Sequence, residues 1–367
     1  MKKKILVILG LTLTTILFSG HAKAEIKVTD VLGRERVLAA PAQRVLLGFY
    51  FEDFLAITGS GAYERVVGIS KGAWHNWRNS QWKAYSAVIP RIDKLADIGG
   101  TDNASFNLEL AISLRPDVAL LAAWQFKALG ETVNRLEAAG IPVVVVDYNA
   151  QTVPTHVKST LVIGKVMGSE QRAQTLADEY KAAVDDVTAR IAKAGGATKR
   201  VYVELGNKGA GEYGNSYGKG YMWGGVINLA GGKNIADGKI ERTGPLNPEY
   251  VLSENPELIL IPGSYWVKND KAVLMGFGVD IKETKARLAT YLGRPGWSGL
   301  DAVKSRHVLA LYHGGARTLY DYAFLQYLAK ALYPEAFKDV DPQENHRRFY
   351  ERYLPIKAQG SFMTRID

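Results

Sequence analysis

Apolar residues come in strand-length runs through the first third of the chain and at helical spacing in its middle, and the two patterns predict different architecture. Residues 26–28 and 36–38 read as two short strands around the turn Leu32-Gly33-Arg34. Residues 44–48, 66–69, 117–121 and 142–147 are near-continuous apolar runs, the last with four consecutive valines. Helices are expected at 52–58, 107–114 and 131–139. The second is stopped by Arg115-Pro116, since proline cannot continue it, and the third is closed by Gly140. Strand and helix alternate, and strands apolar on both faces belong in a parallel sheet covered by helices. Residues 71–95 interrupt the alternation as a long aromatic and polar insertion.

From 154 to 194 the period changes. Ala173, Leu176, Ala177, Tyr180, Val184, Val187 and Ile191 keep one apolar face. One long helical stretch is expected, kinked near Gly164 and Gly168 and ended by Gly195-Gly196. Forty helical residues reach about 60 Å, so the stretch reads as a strut between two α/β halves. The second half repeats the first. Strands are expected at 200–205, 258–261 and 307–311, helices at 226–230, 248–253 and 319–332, and a glycine-rich loop with three tyrosines at 206–225. Asn107-Leu108-Glu109 followed by Arg115-Pro116-Asp117-Val118, and Asn247-Pro248-Glu249 followed by Asn255-Pro256-Glu257-Leu258, are one helix–proline–acid–strand unit, present once per half. The charged, aromatic tail from Val340 is expected to pack as an extra helix. The expected division is 25–152 for an N-terminal lobe, 153–195 for a bridging helix and 196–367 for a C-terminal lobe.

Residues 1–24 stand apart. Lys2, Lys3 and Lys4 precede an apolar run over 5–18, and Ala22-Lys23-Ala24 supplies the small-x-small cleavage pattern. This is the pattern of a secretory signal peptide cut after Ala24, because about 14 apolar residues fall short of the roughly 20 that span a bilayer. No cysteine follows to carry a lipid, so a soluble protein of the Gram-negative periplasm is expected. The chain has no cysteine at all, which excludes disulfides, zinc thiolates and thiol nucleophiles. The formal charge is +9, and Lys2, Lys3, Lys4 and Lys23 supply four of it. The remaining surplus is spread out. It suits an anionic small ligand rather than nucleic acid, and a monomer is expected. The 19 tyrosines and 7 tryptophans are more telling, since many lie in glycine-rich loops.

Several short motifs follow one another in a fixed order. They are Val28-Thr29-Asp30 with Gly33-Arg34, Gly99-Gly100, the first helix–proline–acid unit, and Gly140-Ile141-Pro142-Val143. Then come Gly164 with Gly168-Ser169-Glu170 and Ala173, Leu229-Ala230-Gly231-Gly232-Lys233-Asn234-Ile235, and Pro295-Gly296-Trp297 with Leu300 and Ala302-Val303. In order and spacing the chain resembles, up to about Leu332, the periplasmic binding proteins of ABC importers for iron–siderophores, haem and cobalamin. The resemblance implies an α/β fold of two Rossmann-like lobes with mainly parallel sheets, bridged by a single long helix, with the ligand cleft between them. It implies a receptor rather than an enzyme, and an inner-membrane ABC permease as partner. No resident cofactor is implied, iron entering only as part of a transported chelate. In the family, matching acids on each lobe dock onto permease arginines, a role carried here to Glu109 and Glu249. The plainer reading of both is a first-turn glutamate favoured by the helix dipole.

Ligands of open α/β sheets sit outside the carboxyl ends of the strands. Those loops are 49–51, 71–85, 101–102, 124–125, 206–223, 264–266 and 312–315. The ligand-binding candidates in them are Tyr50, Trp74, His75, Trp77, Arg78, Trp124, Tyr213, Tyr217, Tyr221, Tyr265, Trp266, Tyr312 and His313, with Arg317 just beyond. Aromatic rings offer flat walls to catechol or macrocycle rings, and arginine neutralises an anionic chelate. His313 or a cleft tyrosine can complete an open position on iron. Trp74-His75-Asn76-Trp77-Arg78 is read as a flap over the ligand, against the plainer reading of a loop folded onto its own lobe. His156, His307 and His346 read as structural. The expected cargo is a ferric siderophore, with haem, cobalamin or an oxoanion such as molybdate as alternatives. Two catalytic-looking motifs overlap at 209–218. The G-x-G-x-x-G of residues 209–214 lacks the helix a dinucleotide needs. The G-x-S-x-G around Ser216 leaves a periplasmic serine hydrolase as the alternative from another class.

Overall fold

The computed structural model describes residues 25–101, 105–196 and 198–367, so the expected leader and Asp102 lie outside the described residues. The wholly apolar strand Val45–Leu47 is the centre of a five-stranded parallel sheet. Val66–Ile69 and then Ala96–Asp97 flank it on one side, Val118–Ala122 and then Val143–Val146 on the other. Strands buried on both faces need helices above and below, and the alternation supplies them. The N-terminal hairpin pairs Ile26–Thr29 with Glu35–Leu38. At its turn the buried Asp30 carboxylate accepts from Leu32 N–H and from the Arg34 guanidinium at 2.7 Å. The insertion after the second strand of the sheet is three short helices, Lys71–His75, Asn79–Val88 and Arg91–Lys94.

The C-terminal lobe repeats the plan. Arg200–Val203, Leu258–Leu260 and Val308–Leu311 run parallel, with Lys233–Asn234 on one edge. The other edge is Met363–Arg365, paired antiparallel. Sequence reading missed this strand because three residues with Thr and Arg among them make no apolar run. The tail also forms the expected helix, Pro342–Tyr353, capped by Asp341.

The bridge differs from the single helix expected over 153–195. It is two helices, Val153–Met167 and Glu170–Ala194, separated by Gly168 at φ +69°. They run back antiparallel. A Cβ on Gly164 would stand 2.3 Å from that of Ala173, and the His156 ring lies 4.8 Å from Tyr180. The first helix packs on the N-terminal sheet. Only the second crosses to the other lobe, where Arg190 pairs with Asp339 at 2.8 Å. Its 25 residues span about 37 Å, well short of the length a single stretch would give.

A buried carboxylate ties the halves together. Glu52, on the helix Phe51–Thr58, accepts from Gln81 Nε2 (2.6 Å) and Tyr85 (2.6 Å) of the insertion, and from Tyr320 (2.5 Å) and Tyr350 (2.7 Å) of the C-terminal segments. Burial pushes its pKa up, while the three phenol donors and the charge of Arg78 oppose that. Beside it His346 is buried among Tyr320, Phe324, Tyr350 and Phe362, with ring centroids at 4.7–5.3 Å. Burial lowers its pKa to about 3. Between that value and the ordinary pKa of about 6.5 the unfolded chain binds a proton that the folded chain refuses. Stability therefore falls as pH falls through this window, by about 1.4 kcal/mol per pH unit. Urea unfolding from pH 7 to pH 4.5 should show His346→Phe losing less stability than the wild type. Parallel curves would mean that the ring is protonated in the folded state.

Candidate ligand-binding cleft

The strand Val45–Leu47 ends in Gly48-Phe49-Tyr50, and Tyr50 adopts a left-handed φ of 56° to start the next helix. Gln125 pins this turn: its amide donates to Gly48 O at 3.1 Å and its oxygen accepts from Ala122 N–H at 3.1 Å. In the other lobe Met222, at φ 44°, opens the helix Met222–Leu229. After the strand Val308–Leu311, Gly314 and Gly315 let the chain turn tightly. A Cβ on either would lie 2.4 or 2.3 Å from the rings of Tyr312 and Phe324. His313 and Arg317 bracket this turn.

Between the lobes lies a cavity of about 560 Å³. Trp77, Arg78, Trp124 and Asn149 line it from the N-terminal lobe. Tyr217, Tyr221, Met222, Trp266, His313 and Arg317 line it from the C-terminal lobe, together with Leu205, Asn207, Asn215 and Thr243. No carboxylate is among them. The lobes are hydrogen-bonded on both flanks. On one, Asn79 N–H donates to Tyr265 O (3.0 Å), Val267 N–H to Asn76 O (2.9 Å), and Ser264 Oγ to Trp77 O (2.8 Å). On the other, Met222 N–H donates to Asn149 O (2.8 Å) and Gln151 N–H to Gly220 O (3.0 Å).

Two cations dominate the cavity. The guanidinium groups of Arg78 and Arg317 stand 5.2 and 4.7 Å from the centroid of the Phe49 ring. Both residues are buried, at 4% and 7% exposure, and neither forms an ion pair among the described residues. Arg78 Nε and Nη2 and Arg317 Nε find no hydrogen-bond partner there. Burial, then the charge of Arg78, pulls the Arg317 pKa down to about 10. A buried charge left unpaired is costly. Among the donors, Tyr221 OH accepts from Asn149 Nδ2 (2.9 Å) and Arg242 Nη2 (3.0 Å).

The periplasmic binding protein family matches this chain over residues 45–313, from the central strand of the first sheet to the cleft histidine. The chain belongs to that family. Its members are substrate-binding proteins of ABC importers rather than enzymes, and the family places this one in the periplasm beside a membrane permease. Among the described residues no helix is long and apolar enough to cross a membrane. The TroA-like periplasmic binding protein FepB of Veillonella parvula is 34% identical, with a TM-score of 0.85 over 93% of this chain and 100% of its own. The molybdate-binding protein MolA of Haemophilus influenzae is 25% identical over 376 residues, 96% of this chain and 97% of that protein. A vitamin B12-binding protein of Salmonella paratyphi A is 29% identical over 183 residues, 49% of this chain and 63% of that protein.

Not every sequence candidate of this binding protein reaches the cleft. Trp74 is a correction: it is fully buried in the N-terminal lobe, stacked on Phe51 at 4.7 Å, with its indole donating to Gln81 at 2.8 Å. The covering that this tryptophan needed comes from its own lobe. His75 turns to Asn76 and stands edge-on to Trp82 instead. Tyr213 covers the buried Arg294, 4.3 Å from its ring, and accepts from Trp297 Nε1 at 3.0 Å. That arginine is paired bidentately with Glu204. Tyr265 accepts from Asn79 N–H at the seam through its carbonyl and is not among the residues lining the cavity. Tyr312 is packed edge-on between Phe277 and Phe362. Tyr50 lies beneath the floor, its hydroxyl donating to Asp147 (3.1 Å) and Asn149 (2.9 Å). Asn149, Asn207 and Met222 went unrecognised, since nothing in a lone Asn or Met marks a cleft.

The 209–218 loop carries no chemistry of the motifs it matches. Gly214 N–H donates to Glu204 Oε1 at 2.9 Å and no helix begins there. Ser216 lies in a two-stranded ladder with residues 243–244, not at a strand-to-helix elbow. Its Oγ is buried with no base beside it among the described residues.

Two substitutions separate core from cleft. Trp74→Ala should destabilise the fold by about 3–5 kcal/mol, as expected for a large buried aromatic. Arg317→Met should act in the opposite sense on the ligand-free protein, raising stability by about 1–3 kcal/mol as an unsatisfied buried cation is removed. Chemical unfolding of both variants checks this. A destabilised Arg317→Met would mean that the cation is satisfied in the free protein.

Proposed function

We propose that this binding protein captures an anionic ferric chelate of the siderophore type and delivers it to its permease. The observation that carries the reading is the pair of buried arginines that, among the described residues, have no ion-pair partner and share a cavity lined by no carboxylate. Trp77, Trp124, Tyr217 and Trp266 add flat walls suited to catechol or similar rings. The cavity volume falls in the range of about 300–1,000 Å³ used by ligands of drug size. A second reading, an oxoanion such as molybdate, is favoured by the same cations and by the full-length similarity to a molybdate binder.

Titration of tryptophan fluorescence with a ferric tricatecholate, molybdate, haem and cyanocobalamin tests the cargo. The ferric chelate should bind tightest. Arg78→Ala should weaken it by about 1–3 kcal/mol, roughly ten- to a hundredfold. Tight molybdate binding with no response to the chelate would replace the first reading by the second. Haem or cobalamin binding tightest would discard both.

Delivery is assigned to the repeated acids. Glu109 and Glu249 are both exposed, each in the first turn of a helix capped by an asparagine, Asn107 or Asn247. Neither lines the cleft. The double variant Glu109→Ala/Glu249→Ala should bind cargo like the wild type. It should lose uptake in vesicles carrying the permease, as two charge-assisted contacts of about 1.5–3 kcal/mol each disappear. Normal uptake would make them ordinary surface residues, and weakened binding would place them in the cleft.

A further inference from the structure

The cleft holds one imidazole, and its hydrogen bonding decides what it can do. His313 Nδ1 lies 3.1 Å from the indole Nε1 of the fully buried Trp223. An indole nitrogen donates and never accepts, so Nδ1 must turn its lone pair to Trp223. A neutral imidazole has one ring proton, and here it is left on Nε2. The ring is neutral at ordinary pH, because burial and the charges of Arg317 and Arg78 hold its pKa well below the usual value. Nε2 bonds to nothing among the described residues. The ring lines the cavity, with its centroid 6.2 Å from those of Tyr217 and Trp266.

We infer that His313 meets the cargo as an Nε2–H donor, with Trp223 fixing the tautomer, so that the cargo is an anion whose metal is already fully coordinated by its own ligands. For Nε2 to bind iron its proton would have to move to Nδ1. That would set two N–H groups against each other and leave the buried indole without an acceptor. Tyr221 repeats the arrangement. Its hydroxyl oxygen already accepts from Asn149 and Arg242, which leaves the O–H proton for the cavity. Tyr217 stays a phenol, since burial raises its pKa. The expectation that His313 or a cleft tyrosine completes the coordination of iron therefore gives way to recognition by donors alone. The inference rests on the anionic-chelate reading for its cargo, but not for the tautomer.

Two measurements keep these apart. Nitrogen-15 NMR of the ligand-free protein, with His313 assigned by its loss in His313→Asn, should show Nε2 protonated and Nδ1 not. A protonated Nδ1 overturns the inference whatever the cargo. Fluorescence titration then compares a hexadentate ferric tricatecholate with a tetradentate ferric biscatecholate, which leaves two positions open. The hexadentate chelate should bind at least about tenfold tighter, with its visible spectrum unchanged on binding. His313→Ala should weaken it about tenfold, the scale of one lost hydrogen bond, while His313→Gln, whose amide still donates, should stay within about threefold. Tighter binding of the tetradentate chelate, with an iron absorption change that disappears in His313→Ala, would overturn the donor role. If neither chelate binds, the cargo reading fails, and molybdate probes the donor instead. Binding lost in His313→Ala but kept in His313→Gln supports it, and binding indifferent to both overturns it.

Discussion

The Glu52 carboxylate is the point on which the two halves depend. Its two oxygens take four donors from three separate parts of the chain, the insertion at Gln81 and Tyr85, the segment at Tyr320 and the tail helix at Tyr350. A carboxylate buried without such donors would be very costly, so each donor is held in place by the cost of leaving the oxygens unsatisfied. The tail helix is thereby tied to the lobe that lies farthest from it in sequence. Arg172 adds a second tie from the strut, donating to Ala56 O and Tyr353 O.

The same carboxylate lies behind one of the two cleft arginines. The charge of Arg78 opposes the rise in pKa that burial imposes on Glu52, with no hydrogen bond between them. The front of each guanidinium stays open to the cavity. Phe49 supports both from below through its ring face, an attraction that needs no hydrogen bond. Arg78, Arg317, Tyr221 and His313 line the cavity together, and no carboxylate is among its described lining residues. Leaving two buried cations without ion-pair partners costs stability in the free protein.

The two lobes are held together at several places. The helix Glu170–Ala194, hydrogen-bonded seams on both flanks of the cleft and the Glu52 hub join them.

Much of this was legible in the chain. Apolar runs of strand length located the inner strands of both sheets, and the repeated helix–proline–acid unit exposed the two-lobe plan. These are local patterns, set by periodicity and by proline and glycine chemistry. Residues that flank buried strands, such as Trp77, Arg78, Trp124, His313 and Arg317, were placed at the cleft by topology alone. What failed were features decided by partners distant in sequence. Trp74 and Trp77 stand in the same aromatic stretch, and only packing against Phe51 sends one inward and leaves the other to the cavity. Tyr213 and Tyr217 share a loop, and only the buried Glu204–Arg294 pair draws the first away. The reversal at Gly168 was visible as a glycine but not as a turn, because a kink and a hairpin leave the same apolar face. The tautomer of His313 was beyond any sequence pattern, since it depends on an indole 90 residues away. Sequence determined the elements and the family. Tertiary packing decided which side chains line the cavity and which turn inward, because only the fold sets what each buried polar atom has for a partner.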